Sequence, residues 1–340
     1  MTDAAWADLS DATVTVAVLL YAVAMLALAG EQAARASART GSRASRRAAA
    51  EAARRATAER TRVMAGVGGP SLPETASPPA GAPERARASR AGRLGMALAL
   101  LGLAVHTVSV VTRGLAVDRV PWGNMYEFSS AAALSAVAIF VVLVARRVVD
   151  RGLGAFVLLP VVLTLGLASS VLYTPAGPLV PALNSYWIKI HVAAAVLCTG
   201  AFLLSGVVAG LYLLRDSADS RLAAGSPLRF PLSLGPSLPT ARSLDRAAYA
   251  VIAFAFPLWT FAIIAGAIWA EAAWGRYWGW DPKETWSFIT WVLYAGYLHA
   301  RATAGWRGTR AAWIAVAAAV ALTINYYVVN IFVVGLHSYA

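Results

Sequence analysis

The sequence predicts an all-α fold: a polytopic integral membrane bundle of about eight transmembrane helices, with the N- and C-termini outside. Three observations carry that expectation. Of 340 residues, 59% are hydrophobic and only 14% are charged, where a soluble domain holds about 45–50% and about 25%. The mean hydropathy is +0.61 over the whole chain, so the excess is not confined to one anchor. Apolar runs of roughly 20 residues, enough to cross about 30 Å of hydrocarbon at helical rise, recur along the chain.

Eight such runs fall at about 12–30, 94–112, 128–145, 153–173, 189–214, 248–270, 285–303 and 311–335. The first lacks the basic leader of a signal peptide, since Asp3, Asp8 and Asp11 precede it, and it reads as a span. The sixth contains Pro257, which a membrane helix accommodates when neighbours satisfy the freed carbonyl. Cys198, the one cysteine, lies in an apolar run. It has no disulfide or CxxC partner and reads as a small apolar residue.

Charge sets the expected direction. The net charge is +12, and Lys189 and Lys283 are the only lysines among 29 basic residues. The loops alternate. One set holds Arg35–Arg93, then Arg146, Arg147 and Arg151, then Arg215–Arg246, then Arg301, Arg307 and Arg310. The other holds only Arg113, Arg119, Lys189, Arg276 and Lys283. The positive-inside rule puts the first set in the cytoplasm and both termini outside. The Arg/Ala/Pro-rich segment 31–93 reads as a disordered cytoplasmic linker between a first span (1–30) and a seven-span core (94–340). The stretch 215–247, with Pro227, Pro231, Pro236 and Pro239, reads as a second linker. The Arg-rich segment suits anionic lipid. It carries no aromatic residue to stack a base, which argues against nucleic acid.

Six of the twelve Trp fall between Trp269 and Trp291. Two readings stay open. One is an aromatic belt at the membrane–water boundary. The other is a ligand platform, because Trp274, Trp278 and Trp280 share one outer loop with Gly275 and Gly279, and indoles beside glycines suit a flat apolar ligand. The loop ends in Asp281-Pro282-Lys283-Glu284. Asp281 is expected to cap the next helix, with Pro282 at its first position and Glu284 closing a capping box.

The chain has four histidines. The topology puts His191 and His337 on the face of the tryptophan loop, and neutral imidazole is a good haem-iron ligand. His106 and His299 lie within spans, where ionisable residues count as functional candidates. An interhelical hydrogen bond is the plainer role for His106, and snorkelling to water the plainer one for His299.

Five segments together resemble the CcsA/ResC family of System II cytochrome c maturation, called CcsB in some bacteria. They are PWGNMYEF (121–128), SYWIKIHV (185–192), WGRYWGWDPKETWSFITW (274–291), YLHAR (297–301) and VVGLHSYA (333–340). The tryptophan segment is similar to the family's WWD domain. The resemblance runs from about Gly92 to the C-terminus and omits the Arg-rich segment. It implies a bacterial cytoplasmic-membrane protein that binds haem b, passes it to the extracytoplasmic face and presents it for thioether attachment to CxxCH apocytochromes. The work would be done with a ResB/CcsB-type membrane subunit, as part of a holocytochrome c synthase. By matching position, His191 and His337 are outer axial ligands flanking the WWD platform of Trp274, Trp278, Trp280 and Asp281. His299 is the intramembrane haem ligand, and its opposite ligand comes from the partner subunit. His106 falls in a familiar segment without an implied role. A di-haem b-type electron-transfer subunit and a small-molecule transporter with an aromatic gate are the rival readings.

Overall fold

The computed structural model describes residues 2–63, 82–178, 185–303 and 305–337, and every regular element among them is helical. In order these are α1 (Asp3–Val63), α2 (Ala82–Val117), α3 (Met125–Ala145), α4 (Gly154–Ser170), α5 (Tyr186–Ala223), α6 (Ala241–Trp274), α7 (Pro282–Ala302), α8 (Thr309–Thr323) and α9 (Asn330–Phe332). A π-helical segment, Ile324–Val329, joins α8 to α9.

α1 and α2 form an antiparallel hairpin. Glycines on α2 let the two backbones approach, as small residues do between membrane helices. A Cβ at Gly95 would sit 3.1 Å from the Ala24 carbonyl oxygen, and one at Gly102 would sit 2.8 Å from the Tyr21 ring. Helix also covers much of the stretch expected as an irregular linker, since α1 runs on to Val63 and α2 starts at Ala82. Its Ala- and Arg-rich composition explains this, because both residues have high helix propensity. Residues 64–81 of that linker lie outside the described residues.

Two apolar cores hold the bundle. The smaller packs α1–α4 through Tyr21, Leu28, Val137, Leu158 and Leu165. The larger joins α3–α8, with the Phe202 and Tyr294 rings stacked 3.9 Å apart at its centre. Cys198 is fully buried there. The second expected linker is partly packed as well. Arg215 donates to the carbonyls of Gly235 (3.1 Å) and Leu238 (2.9 Å), folding a 3-10 turn (Leu232–Ser237) against α5.

Among the described residues seven helices are long and apolar enough to cross a membrane by length and composition alone, consistent with the expected bundle of about eight. The exception is α7. Its polar and aromatic residues, including Thr285, Ser287, Thr290, Tyr294 and Tyr297, dilute its hydropathy. It is held by packing instead, with Tyr294 and Tyr297 in the larger core.

Ion pairs mark the two ends of the bundle. At one end buried Glu31 accepts from Arg35 (2.7 Å) and Arg151 (2.9 Å), and Arg301 pairs with Asp245. At the other, Glu127 in the first turn of α3 accepts from Arg113 (3.1 Å) and Arg119 (2.7 Å). The start of α1 shares that second end, where the Ser10 hydroxyl donates to the Ser109 carbonyl.

α3 and α5 meet at Gly200, where a Cβ would lie 2.0 Å from Ser135 Oγ and 2.7 Å from the Ala136 nitrogen. Gly200→Ala is therefore expected to cost about 1–3 kcal/mol of stability through overpacking. Thermal unfolding of the detergent-solubilised protein measures it, and an unchanged midpoint would contradict the close approach.

Candidate functional site

The tryptophan loop is built by the two helix ends it connects. α6 stops at Gly275, whose φ of +68° is the left-handed conformation that glycine tolerates at a helix C-terminus. α7 begins with the expected capping box on Asp281 and Glu284, with Pro282 in its first turn. Glu284 Oε2 accepts the backbone N–H groups of Gly279 (2.8 Å) and Asp281 (3.1 Å). One carboxylate thus holds the loop against its own helix.

Asp281 also reaches across to the C-terminal segment. Its Oδ2 accepts the Leu336 N–H (2.8 Å), and its Oδ1 lies 2.9 Å from His337 Nδ1. Gly335 permits the approach, since a Cβ there would sit 2.7 Å from Asp281 Oδ2. Burial would raise the Asp281 pKa, but the hydrogen bonds from Leu336, His337 and Lys283 outweigh it and hold the carboxylate low. For His337, burial dominates and lowers the pKa, opposed by Asp281. The neutral imidazole is therefore favoured, and its ring stands edge-on to Trp274 with centroids 4.8 Å apart.

His191 comes from the second turn of α5. Its Nδ1 lies 2.7 Å from the Ala262 carbonyl oxygen. A carbonyl only accepts, so Nδ1 carries the proton and Nε2 keeps its lone pair. Room for the ring comes from Gly266 on α6, where a Cβ would lie 2.7 Å from the imidazole.

His191 and His337 line one cleft, whose empty space is about 1440 Å³ with its open mouth included. Its walls come from α5, α6, α7, the π-helical segment and the loop before α3, through residues such as Trp122, Trp259, Trp278 and Asn325. The buried Glu127 supports the last of these walls, since it accepts the Gly123 N–H (2.8 Å) as well as the two arginines.

The structure thus brings together His191, His337, Trp278 and, behind His337, Asp281 and Trp274. Trp280 stands apart from the lining. It is 63% exposed with φ +58°, and its ring is perpendicular to Trp278 at 5.7 Å. The two indoles make a corner rather than one flat plate. His106 is fully buried between α1 and α3, with Nε2 2.9 Å from Ser130 Oγ and Nδ1 3.4 Å from the Tyr21 hydroxyl. His299 is exposed near the C-terminal end of α7, outside the cleft lining, close in sequence to the Arg301–Asp245 pair. Sequence reasoning missed Gly266, Glu127, Lys283 and Asn330. The rarity of lysine was a usable signal for Lys283.

Residues 122–337 match the family model described as cytochrome C assembly protein. The chain is 37% identical over 295 residues to the cytochrome c biogenesis protein CcsA of Gloeobacter violaceus, covering 72% of this chain and 86% of that protein. It is 43% identical to the protein of the same name from Guillardia theta over 48% of this chain and 57% of the relative, and 36% identical to that of Prochlorococcus marinus over 68% and 79%. This chain belongs to the CcsA family. The family match opens at Trp122 in the cleft wall and closes on His337, so it encloses the site and leaves the α1–α2 hairpin outside.

Asp281→Asn is expected to lower the His337 pKa further, because it removes the negative partner that raises it. It should also loosen residues 335–337. Histidine-selective NMR titration and hydrogen exchange read the two effects. An unchanged His337 titration would show that Asp281 does not govern that imidazole.

Proposed function

We propose that this chain works in cytochrome c biogenesis as a membrane subunit that binds haem b and presents it for attachment to CxxCH apocytochromes. The observation that carries the reading is the meeting of His191 and His337, far apart in sequence, in the lining of one indole-walled cleft. Each imidazole has its Nδ1 tied to a protein acceptor, Ala262 O or Asp281 Oδ1. Such outer contacts fix the tautomer and ring orientation of a metal-binding histidine, with Nε2 as the coordinating nitrogen on each ring. Family membership supports the same assignment.

The arginine-rich loops lie on the cytoplasmic side of the bacterial plasma membrane in this reading, and the cleft opens to the outside. Haem first meets His299 on the flank of α7, with the opposite ligand supplied by a ResB/CcsB-type subunit. It then passes to the cleft, where the two imidazoles hold the iron and Trp278 borders the ring. Each apocytochrome thiol adds across a haem vinyl group, sulfur to one carbon and hydrogen to the other, so nothing leaves. The protein's contribution is orientation and exclusion of competing geometry. Together with its partner it acts as a holocytochrome c synthase. The arginine-rich extension of α1 contacts anionic lipid.

His191→Ala or His337→Ala should remove the six-coordinate haem spectrum of the purified complex and abolish holocytochrome formation. Added imidazole should restore part of both by filling the vacant position. Full activity in the double variant would refute the ligand assignment. A protonated imidazole cannot ligate, and burial lowers the His337 pKa. The six-coordinate form is therefore expected to survive to a more acidic pH in the wild type than a solvent-exposed histidine would allow, as followed by absorbance. Loss of that form at the pH where a free histidine titrates would contradict the lowered value.

A further inference from the structure

Lys283 lies in the first turn of α7 and lines the cleft beside both imidazoles. Its ammonium donates to Asn330 Oδ1 and has no ion-pair partner among the described residues. The nearby carboxylates are committed elsewhere: Asp281 to Leu336, His337 and the Lys283 backbone N–H, and Glu284 Oε2 to Gly279 and Asp281. Asn330 is itself fixed, since its Nδ2 donates to the Tyr326 carbonyl (2.7 Å) and leaves Oδ1 for the lysine. A half-buried ammonium whose hydrogen bond goes to a neutral amide, with the Asp281 charge near it but not paired to it, is an expensive arrangement. Its position adds to the cost, because the positive end of a helix dipole disfavours a cation in the first turn. Burial accordingly pushes the Lys283 pKa down to about 8, with Asp281 opposing. Such a group is completed by an anion arriving in the cleft.

We propose that Lys283, oriented by Asn330, is the anion-recognition group of the cleft and pairs with a carboxylate of the bound haem. The inference deepens the haem reading and rests on it. It assigns how the porphyrin is turned about the axis through its iron. The two imidazoles fix that axis but leave the ring free to rotate around it. A charge-assisted contact between Lys283 and one propionate selects one rotation, and so decides which way the vinyl edge faces. The other lysine in the lining, Lys189, is exposed. It is better hydrated there and contributes less.

The test compares haem with haem dimethyl ester, in which both carboxylates are blocked, titrated into the full-length purified protein. The wild type is expected to bind the free acid roughly tenfold to a hundredfold tighter than the ester, the range for a buried hydrogen bond to a charged group. In Lys283→Gln that preference should collapse toward equality while the six-coordinate spectrum persists. Lys283→Arg should retain part of it. Equal affinities in the wild type would overturn the assignment, and that comparison decides even if the Gln variant fails to fold. A preference undiminished in Lys283→Gln would overturn it too. Absence of a six-coordinate spectrum with either ligand would instead sink the haem reading, and this inference with it.

Discussion

One carboxylate joins the parts of the site. Asp281 caps α7, accepts the Leu336 N–H and holds His337. The C-terminal segment is extended at Val333 and largely exposed, so it has little apolar packing to hold it. A low-pKa carboxylate at the start of a rigid helix is a strong acceptor. It converts a loose chain end into a wall of the cleft. The choice of residue is narrow, because the same side chain must cap a helix, accept a backbone donor and set a histidine tautomer.

The other imidazole is held by a different device. His191 uses a backbone carbonyl of α6 and the missing side chain of Gly266. One imidazole is therefore tied to the α5–α6 pair and the other to the α7 N-terminus. The cleft between them is a joint between packed elements rather than a pocket within one. Ligand sites often lie between the helices of a bundle. The wall carrying Trp122 is braced separately, by Glu127 and its two arginines.

Much of this was legible in the sequence. Repeated apolar runs gave the helices, since a bilayer demands both length and composition. The capping box could be read directly because its partners are local in sequence. His191 and His337 could be brought together only through topology, by assigning both to one face. What escaped was tertiary register. Nothing local in the sequence says that Gly266 faces His191 or that Asn330 receives Lys283. The tryptophans looked equivalent in sequence, yet Trp278 lines the cleft, Trp274 backs an imidazole and Trp280 is exposed. The burial of Tyr294 and Tyr297 on α7 escaped for the same reason.

The widened turn at Ile324–Val329 sets a constraint on chain length. Asn325 and Asn330, five residues apart at either end of it, both line the cleft. On a regular helix each residue adds about 100°, so five would send the second amide well round the cylinder from the first. The extra residue absorbed in the wide turn brings them back to one side. Shortening this stretch by a single amino acid would leave a helix of ordinary pitch and intact hydrophobicity. Everything beyond it would be out of phase, with the closing histidine carried away from its carboxylate. Length in this stretch is thus held more tightly than composition.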